Sequence, residues 1–373
     1  MLKRFSKFFG QDNHPEIDEK TVETSSAPPD KSFRSLEGNK MSVLARMFGT
    51  ESIDMDKLRQ AVWSGCPSET PGIRVKAWKI LLGILPTRLD RHQEVQLKKA
   101  RDYELLVREN ERNLVTDVNL LSDTTARAIV HQIEIDIPRT ANCGCDLITI
   151  SPLSSLIRRM LIIWSLRNPA CGYVQGMNDI TVPLLIAIIE GASERPCEQI
   201  SVDDIGRLDL SVIESDLYWM FSRIIQGVQD HYTSSQPGIQ KMMKHFRDLV
   251  KRLDNGELLD YLDSQQVDLT QLSFRWFNCL LVRELDYQAL VRVWDTCIAE
   301  EDGFSVFMVY FCTAWIKGQT EQLKRMDCQQ IMEFFGGSCI AFAIQDTKRA
   351  EVMLAEAFVL KSLFHSSPNH LSS

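Results

Sequence analysis

The run from Phe304 to Lys317 is apolar on nearly every side of a helix, and it constrains how the rest of the chain is arranged. A helix without a polar face must be covered all round, by lipid or by other elements of the same protein. The longest uninterrupted apolar stretches, Val306–Ile316 and Leu184–Ile189, fall well short of the roughly 20 residues a bilayer crossing requires. Both therefore read as buried core helices, each surrounded by amphipathic ones.

The amphipathic segments follow from spacing. Ile73, Ala77, Ile80 and Leu81 recur at i, i+4, i+7 and i+8, one face of a helix, with Trp78 beside it. Ser151-Pro152 reads as a cap followed by proline at the first helical position, and Leu153, Leu156, Ile157, Met160, Leu161 and Trp164 continue at helical spacing. Further helices fit residues 216–228, 238–253, 272–285, 289–297, 326–335 and 346–365. Strand-like alternation longer than about four residues occurs only at Ile133–Ile137. The expected fold class is all-α, with one large multi-helix domain over residues 43–365. Residues 1–42 are expected to form a disordered arm, since 11–42 are rich in Ser, Pro, Glu, Asp and Lys. Residues 366–373 form a short tail.

Composition narrows the function classes. The net charge is 42 − 50 = −8, which argues against broad nucleic-acid binding. Ten cysteines include no C-x-x-C pair, and Cys143-Gly144-Cys145 has no companion pair at zinc spacing, so no metal site is expected. There is no phosphate-cradling G-x-x-x-x-G-K-[ST] loop, no H-E-x-x-H and no G-x-S-x-G. No self-contained nucleophile and base emerge. The N-terminus lacks the apolar core of a signal peptide. Its Phe5, Phe8 and Phe9 share a helical face beside Lys3, Arg4 and Lys7, which offers a peripheral membrane contact; a solvated tail is the plainer reading.

Two loops stand out. Tyr173-Val174-Gln175-Gly176-Met177-Asn178-Asp179 opens a buried helix, with glycine for an unusual backbone angle and Asn178 or Asp179 as its expected cap. Ile133-Glu134-Ile135-Asp136-Ile137-Pro138-Arg139-Thr140 is expected to release Arg139 on an extended or turn segment, because Pro138 disfavours helical angles at Ile137. The scaffold is expected to bring Gln175 and Arg139 to one surface.

Three segments together resemble the TBC-domain family of Rab GTPase-activating proteins. Arg74-Val75-Lys76-Ala77-Trp78-Lys79-Ile80-Leu81-Leu82-Gly83 is similar to the family's first motif. The Ile133–Thr140 segment resembles its arginine-finger motif I-x-x-D-x-x-R, and Tyr173–Asn178 its glutamine-finger motif Y-x-Q-G. Phe274-Arg275-Trp276 and Val293-Trp294-Asp295-Thr296 add to the likeness, which covers roughly residues 55–320. The resemblance implies catalytic roles for Arg139 and Gln175, with Asp136, Tyr173, Gly176 and Asn178 in support. It implies partner contacts for Arg74, Thr140 and Met177, with packing on Trp78 the other reading of Arg74. The implied partner is a GTP-bound Rab that carries the GTP and Mg²⁺, so the chain needs no cofactor of its own. The variant motifs look most like the Golgi-type branch, which implies Rabs of the early secretory pathway and a cytoplasmic protein peripheral to Golgi or other endomembranes. A catalytically silent scaffold of the same family is the competing reading; retention of both fingers favours the active one.

Overall fold

The computed structural model describes residues 43–114, 121–141, 143–336 and 347–365; the expected arm and tail lie outside the described residues. Local chemistry starts many of the helices. Asp54 accepts the amides of Asp56 and Lys57 at the head of α1 (Met55–Trp63). Helix α2 (Pro71–Leu81) opens with proline, where no donor is lost. Helix α3 (His92–Glu109) lies largely exposed, with Tyr103 its buried residue. Asp123 caps α4 (Thr124–Asp136) through the amides of Thr125 and Ala126. Helices α5 (Ser151–Arg167) and α6 (Met177–Ser193) follow. Asp209 caps α7 (Leu210–Gly227) in the same manner. Then come α8 (Pro237–Leu253), α9 (Glu257–Ser264) and α10 (Leu269–Asn278), the last capped by Asp268. Helix α11 (Tyr287–Ala299) leads through a π-turn at Gly303–Phe307 into α12 (Met308–Lys317). Helices α13 (Cys328–Gly336) and α14 (Thr347–Phe364) complete the order. No strand occurs among the described residues, only an isolated bridge between Ser52 and Arg88.

The apolar runs are the core, as their composition demands. Every residue from Met177 to Glu190 is buried, and α6 packs between α2 and α7, with α5 and α11 alongside. Met308 to Ile316 are likewise all buried, and α12 is covered by α8 and α14. Trp78, Trp276 and Trp294 are fully buried and Trp164 nearly so, as expected of core residues.

Two sequence expectations need correcting. The Ile133–Ile137 alternation is the end of α4, not a strand, and Ile137–Arg139 form one 3₁₀ turn. Ile137 sits at φ −55°, ψ −48° despite the following proline. The steric bias against helix before proline is overridden because Ile133 is buried inside and the Ile137 amide still closes onto its carbonyl. Extended backbone begins only at Thr140, at ψ 135°. At the second site, Ser151 is the first residue of α5 and not its cap, Ile150 holding that position.

Arg74 is the other correction: it does not face a partner. It is 5% exposed, and its Nε donates to Asp295 Oδ1 at 3.3 Å while Nη2 donates to the Cys66 carbonyl at 3.2 Å. Asp295, fully buried, also accepts Trp78 Nε1 at 2.7 Å and the Cys66 amide at 2.8 Å. This carboxylate ties α11 to α2 and to the turn after α1. Removing one partner of a buried ion pair strands the other charge, so Asp295→Ala is expected to lower unfolding stability by about 3–5 kcal/mol, read from the urea midpoint. A loss below about 1 kcal/mol would show that Arg74 is not dependent on it.

His231 gives a pH dependence. It is fully buried beside Tyr232, and neither ring nitrogen has a hydrogen-bond partner. Burial pushes its pKa down from 6.5 to about 4, so the unfolded chain binds the proton more readily. The contribution is intact above pH 6.5 and erodes as pH falls from there toward 4, by up to about 3 kcal/mol. Thermal melts at pH 7.5 and 5 should show a smaller acid-induced drop in Tm for His231→Phe than for the wild type.

Candidate functional site

The two loops meet on a buried carboxylate. Asp136 ends α4 and is 1% exposed. Its Oδ1 accepts both Nε (3.0 Å) and Nη2 (2.6 Å) of Arg139, one 3₁₀ turn further on. Its Oδ2 lies 3.0 Å from the Tyr173 hydroxyl of the glutamine loop and accepts Gln132 Nε2 at 3.3 Å. Burial, reinforced by the negative charge of Asp136, holds the Tyr173 phenol protonated far above its usual range, so it donates throughout the physiological span. The Arg139 side chain remains 47% exposed. Donors of its planar fork that Asp136 does not use stay open to an incoming anion.

Asn178 makes the second link. Its Oδ1 accepts the Gly176 amide at 3.2 Å and lies 3.1 Å from the Tyr173 hydroxyl. Its Nδ2 donates to Thr140 Oγ1 at 3.0 Å and to the Asp136 carbonyl at 3.4 Å. Thr140 Oγ1 in turn donates to the Asp136 carbonyl at 3.2 Å. Gly176, at φ +103°, occupies the cap position of α6. A Cβ there would also lie 2.6 Å from Asn278 Nδ2, so any side chain meets both backbone strain and a clash. The chain turns so that Gln175 is exposed while Gly176 and Met177 are buried.

Several expectations are revised by this geometry. Neither Asn178 nor Asp179 caps α6, because both side chains are committed elsewhere. Asp179, 1% exposed, accepts the Ala141 amide at 2.9 Å and binds Arg283 through both oxygens, at 2.7 and 3.1 Å. Met177 is fully buried, so it supports the loop from inside and offers no partner contact. Thr140 is half-buried and spends its hydroxyl within the loop network. Arg275, from the Phe274-Arg275-Trp276 motif, pairs with buried Glu284 at 2.5 and 2.9 Å and so has a structural role.

Asp179, Asn278 and Arg283 are parts of the site that the sequence reading did not assign. Asn278 Nδ2 donates to the Gln175 carbonyl, and Arg283 Nη2 to the Arg139 carbonyl, each at 2.9 Å. Asn278 and Arg283 lie about a hundred residues beyond the loops they touch, so no local spacing could have revealed them.

Other candidate sites carry less. Glu190, Cys197 and Glu198 have ligand atoms within 4.8 Å of one another. Both Glu190 oxygens are occupied, however, by the Cys197 amide at 2.8 Å and the Tyr287 hydroxyl at 2.6 Å. Cys143 Sγ is turned to the Val282 carbonyl at 3.4 Å. A groove of about 750 Å³ between α1 and α14 is lined by Trp63, Glu300 and Phe358 and is not lined by any residue of the two loops. On the two loops, Arg139 and Gln175 are the side chains left open to an incoming partner.

The Rab-GTPase-TBC domain family matches residues 71–324. TBC1 domain family member 22A from Homo sapiens is 33% identical over 346 residues, covering 90% of this chain and 62% of the relative. The GTPase-activating protein gyp1 of Schizosaccharomyces pombe is 35% identical over 336 residues, covering 89% and 63% respectively. The chain thus spans less than two-thirds of the length of these relatives. The crystal structure of the Ypt/Rab-GAP domain of Gyp1p superposes with a TM-score of 0.75 at 29% identity, covering 88% of this chain and 99% of that one. On sequence, motif order and fold together, the chain belongs to the Rab-GTPase-TBC domain family.

Proposed function

We propose that this chain is a GTPase-activating protein for a Rab-family GTPase, acting with Arg139 and Gln175 supplied in trans. The observation that carries the reading is that both side chains are exposed on loops cross-linked through the buried Asp136 and Asn178 and the half-buried Tyr173. Two loops joined in this way enter one partner together.

The chemistry follows from what GTP hydrolysis lacks in a GTPase alone. Charge develops on the β- and γ-phosphate oxygens, and a water must be held in line with the γ-phosphorus. Arg139 meets the first need with a permanent charge and a planar set of donors. Asp136 keeps that guanidinium from wandering, which lowers the entropy lost on docking. Gln175 meets the second need, since an amide both donates to and accepts from water. GTP and Mg²⁺ come with the Rab. Thr140, Tyr173, Gly176 and Asn178 shape the loops and do not touch phosphate.

The activating domain is taken as residues 43–365; Phe5, Phe8 and Phe9 of the arm 1–42 offer a peripheral membrane contact, with a solvated tail the plainer reading. The variant motifs favour a cytoplasmic protein peripheral to Golgi or other endomembranes.

The test is phosphate release from a panel of GTP-loaded Rabs. Wild type is expected to accelerate one or a few of them strongly. Arg139→Ala is expected to reduce kcat by about 10³-fold or more, with Tm lowered by no more than a few degrees, since Asp136 keeps Tyr173 and Gln132 as partners. Arg139→Lys should recover little, because a lysine lacks the planar fork. Gln175→Ala should act in the same direction. Failure of wild type on every Rab, with binding retained, would establish the silent scaffold instead.

A further inference from the structure

The main-chain carbonyls of both finger residues are held by one short turn. Asn278, the last residue of α10, donates Nδ2 to the Gln175 carbonyl at 2.9 Å. Five residues later, Arg283 donates Nη2 to the Arg139 carbonyl at 2.9 Å. The same guanidinium grips both Asp179 oxygens, and Asp179 Oδ1 accepts the amide of Ala141, two residues past Arg139. One arginine thus fastens the arginine loop to the first turn of α6, while its neighbour in the turn fastens the glutamine loop.

The turn itself is anchored in the core. Trp294 Nε1 donates to the Leu280 carbonyl at 3.1 Å, and the Leu281 amide closes onto the Trp276 carbonyl at 2.8 Å. Tyr232 donates its hydroxyl to the Asn278 carbonyl at 2.8 Å. Leu280 and Leu281 are fully buried at φ 48° and 65°, a left-handed conformation that leucine resists. Such strain persists only where the surroundings over-determine the backbone, and it gathers at functional sites.

We propose that the turn 278–283 is a template that sets the separation of the two fingers, with Asn278 and Arg283 as positioning residues for the reaction. The proposal rests on the reading of Arg139 and Gln175 given above. Two loops that each carry half of a transition-state contact would otherwise move independently, and misplacement by about 1 Å costs on the order of 10²-fold in rate. Holding the carbonyls fixes where each loop sits and leaves both side chains free to engage the partner. Arginine is needed at 283 because a single planar fork reaches three oxygens on two elements; lysine presents only a point charge.

The experiment compares the full-length wild type with Arg283→Met, Arg283→Lys and Asn278→Ser. Amide hydrogen exchange is measured on each chain alone, and kcat and KM on the Rab that wild type accelerates most in the panel. In Arg283→Met, exchange at Thr140 and Ala141 is expected to rise about tenfold or more, while α12 stays protected. In Asn278→Ser the rise should fall on the glutamine loop. Both variants should lower kcat about tenfold or more with KM within about threefold, and Arg283→Lys should recover part of it. Unchanged exchange at both loops overturns the proposal. So does a rise shared equally by α12, or a change confined to KM. Should wild type accelerate no Rab, the activator reading falls, while the exchange data still decide whether the turn holds both loops.

Discussion

Helix α6 has no solvent-facing side from Met177 to Glu190, and the rest of the domain is arranged to cover it. Helices α2 and α7 pack against it, and α5 and α11 close the remaining flanks. A helix in that position is among the least mobile elements a protein has, because every direction of movement opens a cavity. The glutamine loop is the entry to this helix, and Asp136 reaches it through Tyr173 and Asn178. Arg139 and Gln175, the proposed fingers, thus sit on loops tied by hydrogen bonds to the entry of a wholly buried helix.

Three buried aspartates show how one side chain serves different ends according to its partner. Asp295 is satisfied by a buried arginine, an indole and an amide, and it joins elements. Asp179 is satisfied by an amide and by Arg283, and it places a loop. Asp136 is satisfied on one side by Tyr173 and Gln132 and on the other by an arginine that remains half in solvent. A buried carboxylate without partners costs several kcal/mol, so each must be paired somewhere. At Asp136 and Asp179 the pairing ends at an arginine that reaches the surface, but Arg283 is committed to three oxygens of its own chain, whereas Arg139 binds one oxygen of Asp136 and keeps donors open to solvent.

Much of the fold was legible in the chain. Apolar content on all sides of 304–317 and 184–189 forces burial whatever the neighbours are, and proline, glycine and acidic caps mark many helix starts. Arg139 and Gln175, the proposed fingers, stood out by motif, since they lie in short contiguous patterns. The misreadings share one cause. Helical angles at Ile137, burial of Arg74 and Met177, and diversion of Asn178 and Asp179 from capping all arise where a tertiary partner outbids a local preference.

The sequence by itself determined that the chain is helical, which segments form its interior, and which two loops carry the exposed amide and guanidinium. These depend on periodicity and on residues a few positions apart. Tertiary structure alone decided that Asp136 is buried beneath Arg139, that Arg74 faces inward to Asp295, and that Asn278 and Arg283 reach back 103 and 144 residues to the two loops. The physical reason is that hydrogen bonds between distant segments have no period in the chain; they exist only once packing around α6 has brought those segments within about 3 Å of each other.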